Sequence, residues 1–122
     1  MDTYTIYHNP RCSKSRAALA LLQERRLPLR IVEYLKEPPS RDELAALRTQ
    51  LGMPPDDWVR KNEAEFKAAG LGAGSSETEL LDAMAKHPIL IERPIVVHGN
   101  RAVVGRPPER VLELVGEGEG DP

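Results

Sequence analysis

The chain has 122 residues, 17 basic and 19 acidic, for a formal net charge of −2. That is the size of one domain, and the near-neutral balance excludes a general pull toward nucleic acid or anionic lipid, so any anion affinity must be local. Aromatics are only 4% of the chain and Cys12 is its single cysteine, so the core must be largely aliphatic and no internal disulfide can staple it.

Thr3–Tyr7 alternates in a β manner, and Ser13–Arg26 carries Ala17, Ala18, Leu19, Leu21 and Leu22 among good helix formers before Pro28. Leu29–Tyr34 is a second extended stretch. A strand, a helix and a strand in this space predict a βαβ unit with parallel strands. After Pro38-Pro39, Ser40 with Glu43 forms a capping box that opens a helix to about Leu51, and Gly52–Pro55 is a turn. Asp56–Lys61 and Glu63–Ala69 read as short helices, with Gly70 as a C-cap. Gly72–Ser75 is a loop without the ending of a phosphate-binding P-loop. Ser76 with Glu79 is a second capping box, for a helix to Lys86 that buries Leu80, Leu81 and Met84. Arg93–His98, a Gly99-Asn100 turn and Arg101–Gly105 predict a β-hairpin. Pro107-Pro108 starts a last helix whose Val111, Leu112, Leu114 and Val115 face the core, and Gly116–Pro122 reads as a frayed tail. The resulting order is β-α-β, a helical block at about 40–87, then β-β-α. A single α/β domain over 1–122 is expected, with a mixed sheet of thioredoxin-like architecture and the helical block as an insertion.

In that architecture Cys12 falls at the N-terminus of the first helix. Free backbone N–H groups and the positive end of the helix dipole favour thiolate there, and the thiolate is the nucleophile. Arg11, Lys14 and Arg16 are expected to add positive charge, and His8, as a cation, would add more. Ser15 stands where a dithiol motif has its second cysteine, and its hydroxyl is placed to donate to the Cys12 sulfur. Too few residues separate Cys12 from Arg16 for a thiol-phosphatase loop. Arg60, Arg93 and Arg106 stand out by placement: Arg93 and Arg106 flank one hairpin, and Pro94 is the candidate for a cis-proline against the cysteine loop. Arginine suits a tetrahedral oxyanion, because its fork donates two parallel hydrogen bonds. His87 and His98 are read as structural, and no metal-ligand spacing is present. The N-terminus lacks a signal-peptide pattern and no apolar run reaches bilayer length, so a cytoplasmic location is expected.

His8-Asn9-Pro10-x-Cys12-x-x-Ser15-Arg16, Tyr34-Leu35-x-x-Pro38-Pro39, Val59-Arg60-Lys61-Asn62, His87–Ile91-x-Arg93–Val97 and Gly105-Arg106-Pro107 together resemble the glutaredoxin-coupled arsenate reductases. The resemblance runs from about residue 4 to 115. It implies reduction of arsenate to arsenite through a Cys12 thiol-arsenate intermediate, with His8 activating the thiolate and Ser15 supporting it. Arg60, Arg93 and Arg106 would hold the substrate. Glutathione would be co-substrate and glutaredoxin the partner, with no bound cofactor or metal, no nucleic-acid or membrane partner, and a monomer expected. Arg11, Ser13 and Lys14 make this loop more basic than in well-studied members. Two rivals remain: a monothiol, glutathione-dependent oxidoreductase acting on another substrate, and a redox-related regulator that binds RNA polymerase.

Overall fold

The computed structural model describes residues 3–115, so the reading of a frayed tail at 116–122 lies outside the described residues. Strand β1 (Tyr4–His8) leads into helix α1 (Ser13–Glu24) and strand β2 (Leu29–Glu33). Helices α2 (Arg41–Leu51), α3 (Ala64–Ala68) and α4 (Glu77–Lys86) follow, and the hairpin of β3 (Ile95–His98) and β4 (Arg101–Val104) closes the sheet. The strand order is β2-β1-β3-β4, with β1 parallel to β2 and antiparallel to β3. A βαβ unit joined edge to edge with an antiparallel hairpin is the mixed thioredoxin-like sheet expected from the sequence.

Side chains alternate across the pleated strands, so each strand feeds two cores. Tyr4 and Ile6 of β1, Val96 of β3 and Val103 of β4 face Ala18 and Leu22 of α1, together with Val111 and Leu114. Tyr7, Val32, Ile95, Ala102 and Val104 face the opposite way, onto Leu44, Leu47, Trp58, Leu80 and Met84. Burying one such leucine stabilises the fold by about 1.5–3 kcal/mol, which lets a chain poor in aromatics hold two thin cores. Both capping boxes form. The hydroxyl of Ser40 accepts from the Glu43 N–H at 3.1 Å and that of Ser76 from the Glu79 N–H at 3.1 Å, while each glutamate accepts from its serine's N–H. Gly52 ends α2 in the left-handed region at φ 69°, which glycine adopts without a Cβ penalty. Arg41 and Arg48 of α2 pair with Asp82 and Glu77 of α4, tying the two helices together at the surface.

The structure corrects the sequence reading at two elements. Asp56–Lys61 is not a helix: only Pro55–Asp57 forms a single 3-10 turn, because Val59 leaves it to make a β-bridge with Ile91. The last helix is 3-10 rather than α, over Pro108–Leu114, with hydrogen bonds such as Arg110 N–H to the Pro107 carbonyl. A further 3-10 turn spans Pro88–Leu90. The Arg93–Pro94 peptide bond is cis, as is Arg106–Pro107.

Candidate active site

The loop between β1 and α1 is built by its own polar groups. Asn9 accepts from the Arg11 N–H at 3.0 Å and its carbonyl takes the Cys12 N–H at 3.0 Å, so the chain turns tightly into α1 with Cys12 as the N-cap residue. The Cys12 carbonyl already accepts the first helical bond, from the Arg16 N–H. An N-cap side chain stands over the N–H groups of the first turn, and here that side chain is a thiol. It makes no hydrogen bond of full geometry to them, yet they act on its proton. Burial alone would raise the Cys12 thiol, but the backbone N–H groups of Ser15 and Lys14 and the charges of Arg93 and Arg106 outweigh it and hold the thiol below its ordinary value. Cys12 is half-buried, so it can be reached from solvent.

Several expected contributors act differently. Arg11, Lys14 and Arg16 are exposed, and Arg16 donates to the Pro10 carbonyl at 3.0 Å. Lys14 favours the thiolate through its backbone N–H, and the side-chain charges of this basic stretch are not among the groups that shift Cys12. Ser15 is fully buried. Its hydroxyl lies 2.7 Å from His8 Nδ1 and accepts the Asn9 N–H at 3.0 Å, so it ties the loop together while the backbone N–H of Ser15 serves the sulfur. His8 is buried too. Burial, against the charge of Glu33 and together with that of Arg16, lowers its pKa, so it is neutral near pH 7 rather than the cation the sequence suggests.

Arg60, Arg93 and Arg106 come from three separate segments and line one cleft of about 420 Å³, joined by Lys61, Asp56, Glu63 and Glu92. The Val59–Ile91 bridge and the Arg60 N–H bond to the Leu90 carbonyl bring the first of these segments alongside the second. Gly105 brings in the third: its N–H donates to the Pro94 carbonyl at 2.8 Å, and a Cβ there would stand 2.9 Å from Pro94 Cγ. Cys12 does not line this cleft; Arg93 and Arg106 reach the thiol electrostatically, while the Arg60 charge acts on Tyr34.

The sequence reading passed over the cleft's carboxylates. Glu92 accepts from Arg93 Nη1 at 3.0 Å and lies 3.8 Å from Arg106 Nε, and Glu63 pairs with Arg60 Nη2. An acidic residue directly preceding Arg93 was the available signal. His87 caps α4 and His98 stacks on Tyr4 with ring centroids 3.9 Å apart. Among the described residues no group of side chains could hold a metal ion, and no helix is long and apolar enough to cross a membrane.

Comparison with known proteins gives a consistent picture. An arsenate reductase of Rhizobium meliloti is 46% identical over 114 residues, covering 93% of this chain and 81% of that protein. An Escherichia coli protein named Uncharacterized protein YfgD is 47% identical over 113 residues, covering 91% of this chain and 95% of its own. The solved structure of an arsenate reductase from Vibrio cholerae superposes with a TM-score of 0.88 at 45% identity, covering 93% of this chain and 98% of that one. The model of the ArsC family matches residues 7–114, nearly the whole of the described fold, and the chain belongs to the ArsC family.

Proposed function

We propose that this protein is an arsenate reductase that uses glutathione and glutaredoxin as electron donors. One observation carries the reading: the single cysteine caps α1, and the charges of two of the three clustered arginines favour its thiolate. A neutral disulfide substrate has no need of that charge, whereas a tetrahedral oxyanion does. The relatives named arsenate reductase support the same substrate.

In this mechanism arsenate lies against the N-terminus of α1, held by Arg93 and Arg106, with Arg60 completing the set. The Cys12 thiolate attacks arsenic, an S–As bond forms, and one oxygen leaves as water after taking up protons. Arsenic is still As(V). Glutathione sulfur then replaces a second oxygen. A second thiol, presented by glutaredoxin, attacks the glutathione sulfur; a disulfide forms and the S–As electron pair stays on arsenic, which becomes As(III). Water cleaves the remaining Cys12–arsenic bond, releasing arsenite and restoring the thiol. Covalent catalysis divides one hard step into easier ones, and the absence of a second cysteine explains why external thiols supply both electrons. His8 and Ser15 serve as a buried hydrogen-bonded pair that fixes the loop around Cys12.

The test is a coupled assay with arsenate, glutathione, glutaredoxin, glutathione reductase and NADPH. NADPH oxidation should require arsenate and disappear in Cys12→Ser. A second reading follows from the cleft: it is lined by charges of both signs and not by Cys12, which also suits the carboxylates and ammonium of glutathione. Oxidation driven by a disulfide substrate but not by arsenate would favour that monothiol oxidoreductase.

A further inference from the structure

Tyr34 has no part in the chemistry above, and its side chain is fully buried. Among the described residues two buried side-chain polar atoms lack a hydrogen-bond partner in the protein: the Tyr34 hydroxyl and Nε of Arg93. Buried polar groups are nearly always satisfied, so each exception calls for a reason. Both belong to residues whose charge or proton is coupled to the Cys12 thiol. Strand β2 runs parallel to β1 with Glu33 opposite His8, so Tyr34 leaves the sheet beside Asn9, at the carboxyl end of the parallel pair. Ligands of open α/β sheets bind at that end. The hydroxyl lies within the fields of Arg93, Arg60 and the Cys12 sulfur. The Asn9 side chain is near enough to act on the phenol's proton, but makes no hydrogen bond of full geometry to it. Arg93 Nη1 is held by Glu92, which leaves Nε as a spare charged donor and the phenol as a spare neutral one.

We propose that Tyr34 is a substrate-binding residue of this site, its hydroxyl donating a hydrogen bond to an oxygen of the oxyanion held at Cys12, alongside Arg93 Nε. The proposal rests on the oxyanion reading given above. Burial, foremost, and the nearby Cys12 sulfur raise the Tyr34 pKa against the opposing arginine charges, so the phenol keeps its proton and remains a donor at physiological pH. A donor whose orientation is fixed by packing gives up little freedom as negative charge grows on the arsenate oxygens. A charged acceptor is also the partner that best offsets the burial of both donors.

Arsenate protection of Cys12 from iodoacetamide alkylation measures binding without turnover, and Tyr34→Phe removes the hydroxyl alone. The arsenate Kd should weaken by about tenfold or more, the factor carried by one hydrogen bond to a charged group. Alkylation without arsenate, including its pH midpoint, should be unchanged. The Tm should not fall, because the hydroxyl gives up no hydrogen bond of full geometry within the protein. An equal Kd in the two proteins overturns the proposal. So does a weaker Kd accompanied by a lower Tm, which assigns the hydroxyl to the fold. If arsenate fails to protect even the wild-type protein, the oxyanion reading itself falls and takes the role of Tyr34 with it; the wild-type result alone separates that case.

Discussion

Ser15→Ala separates two jobs that one residue performs at the cysteine loop. The hydroxyl is fully buried and bonds both His8 Nδ1, at 2.7 Å, and the Asn9 N–H, at 3.0 Å. Its removal leaves a ring nitrogen and a backbone donor without partners in a place where water cannot readily replace it. Each unsatisfied buried group costs about 1–3 kcal/mol, so the variant should lose about 2–6 kcal/mol. Against a total stability of about 5–15 kcal/mol that is a large fraction. With a urea slope of about 2 kcal/mol per molar, the unfolding midpoint should fall by about 1–3 M. The thiol should respond differently. The part of residue 15 that lowers the Cys12 pKa is its backbone N–H, which alanine retains. The pH midpoint of Cys12 alkylation in the folded variant should therefore match that of the wild-type protein. An unchanged urea midpoint, or an alkylation midpoint raised by about one unit, the equivalent of about 1.4 kcal/mol at the sulfur, would refute the division of labour.

Arg60→Ala should lower arsenate turnover by about a hundredfold to a thousandfold, the scale for one preorganised oxyanion donor, with unchanged turnover removing Arg60 from the site. Gly105→Ala places a Cβ 2.9 Å from both Pro94 Cγ and Val111 Cγ1. Overpacking of this kind costs about 1–3 kcal/mol, so urea unfolding should show the loss, and displacement of the neighbouring Arg106 should reduce turnover as well. The pH dependence of stability should carry a His8 component. Because burial lowers its folded-state pKa from 6.5, the unfolded chain binds more protons below that pH, so the His8 contribution is present above pH 6.5 and lost as the pH falls. Urea midpoints measured across this range should decline less steeply in His8→Gln; an identical slope would show that His8 is not held neutral.

Features set by near neighbours in the chain were legible in the sequence. The Ser40–Glu43 and Ser76–Glu79 boxes need only residues three apart, and the Gly99-Asn100 turn needs only its flanking alternation, so these elements appear where expected. Long-range pairing decided the rest. Val59 reads as part of a helical block but bridges to Ile91, which no local pattern announces. The segment after Pro107 has helical spacing, yet its backbone tightens into 3-10 turns where Val111 and Leu114 pack against α1 and the sheet. At the site, residue types and spacing pointed to Cys12 and to three arginines. Burial was not visible, so a neutral His8 read as a cation and the Ser15 hydroxyl was aimed at sulfur instead of at His8. Glu92 and Glu63 were missed because their importance lies only in the arginines they meet, and those meetings exist only once the separate segments are folded together.

The central claim is that the Cys12 sulfur carries arsenic from As(V) to As(III). Arsenic speciation in a single turnover tests it most directly: a stoichiometric amount of arsenate is mixed with the protein, glutathione and glutaredoxin, and arsenite is followed over time in the wild-type and Cys12→Ser proteins. The account predicts arsenite release by the wild-type protein and none above the glutathione background with Cys12→Ser. Arsenite formed equally fast by both proteins, or by neither, would contradict it.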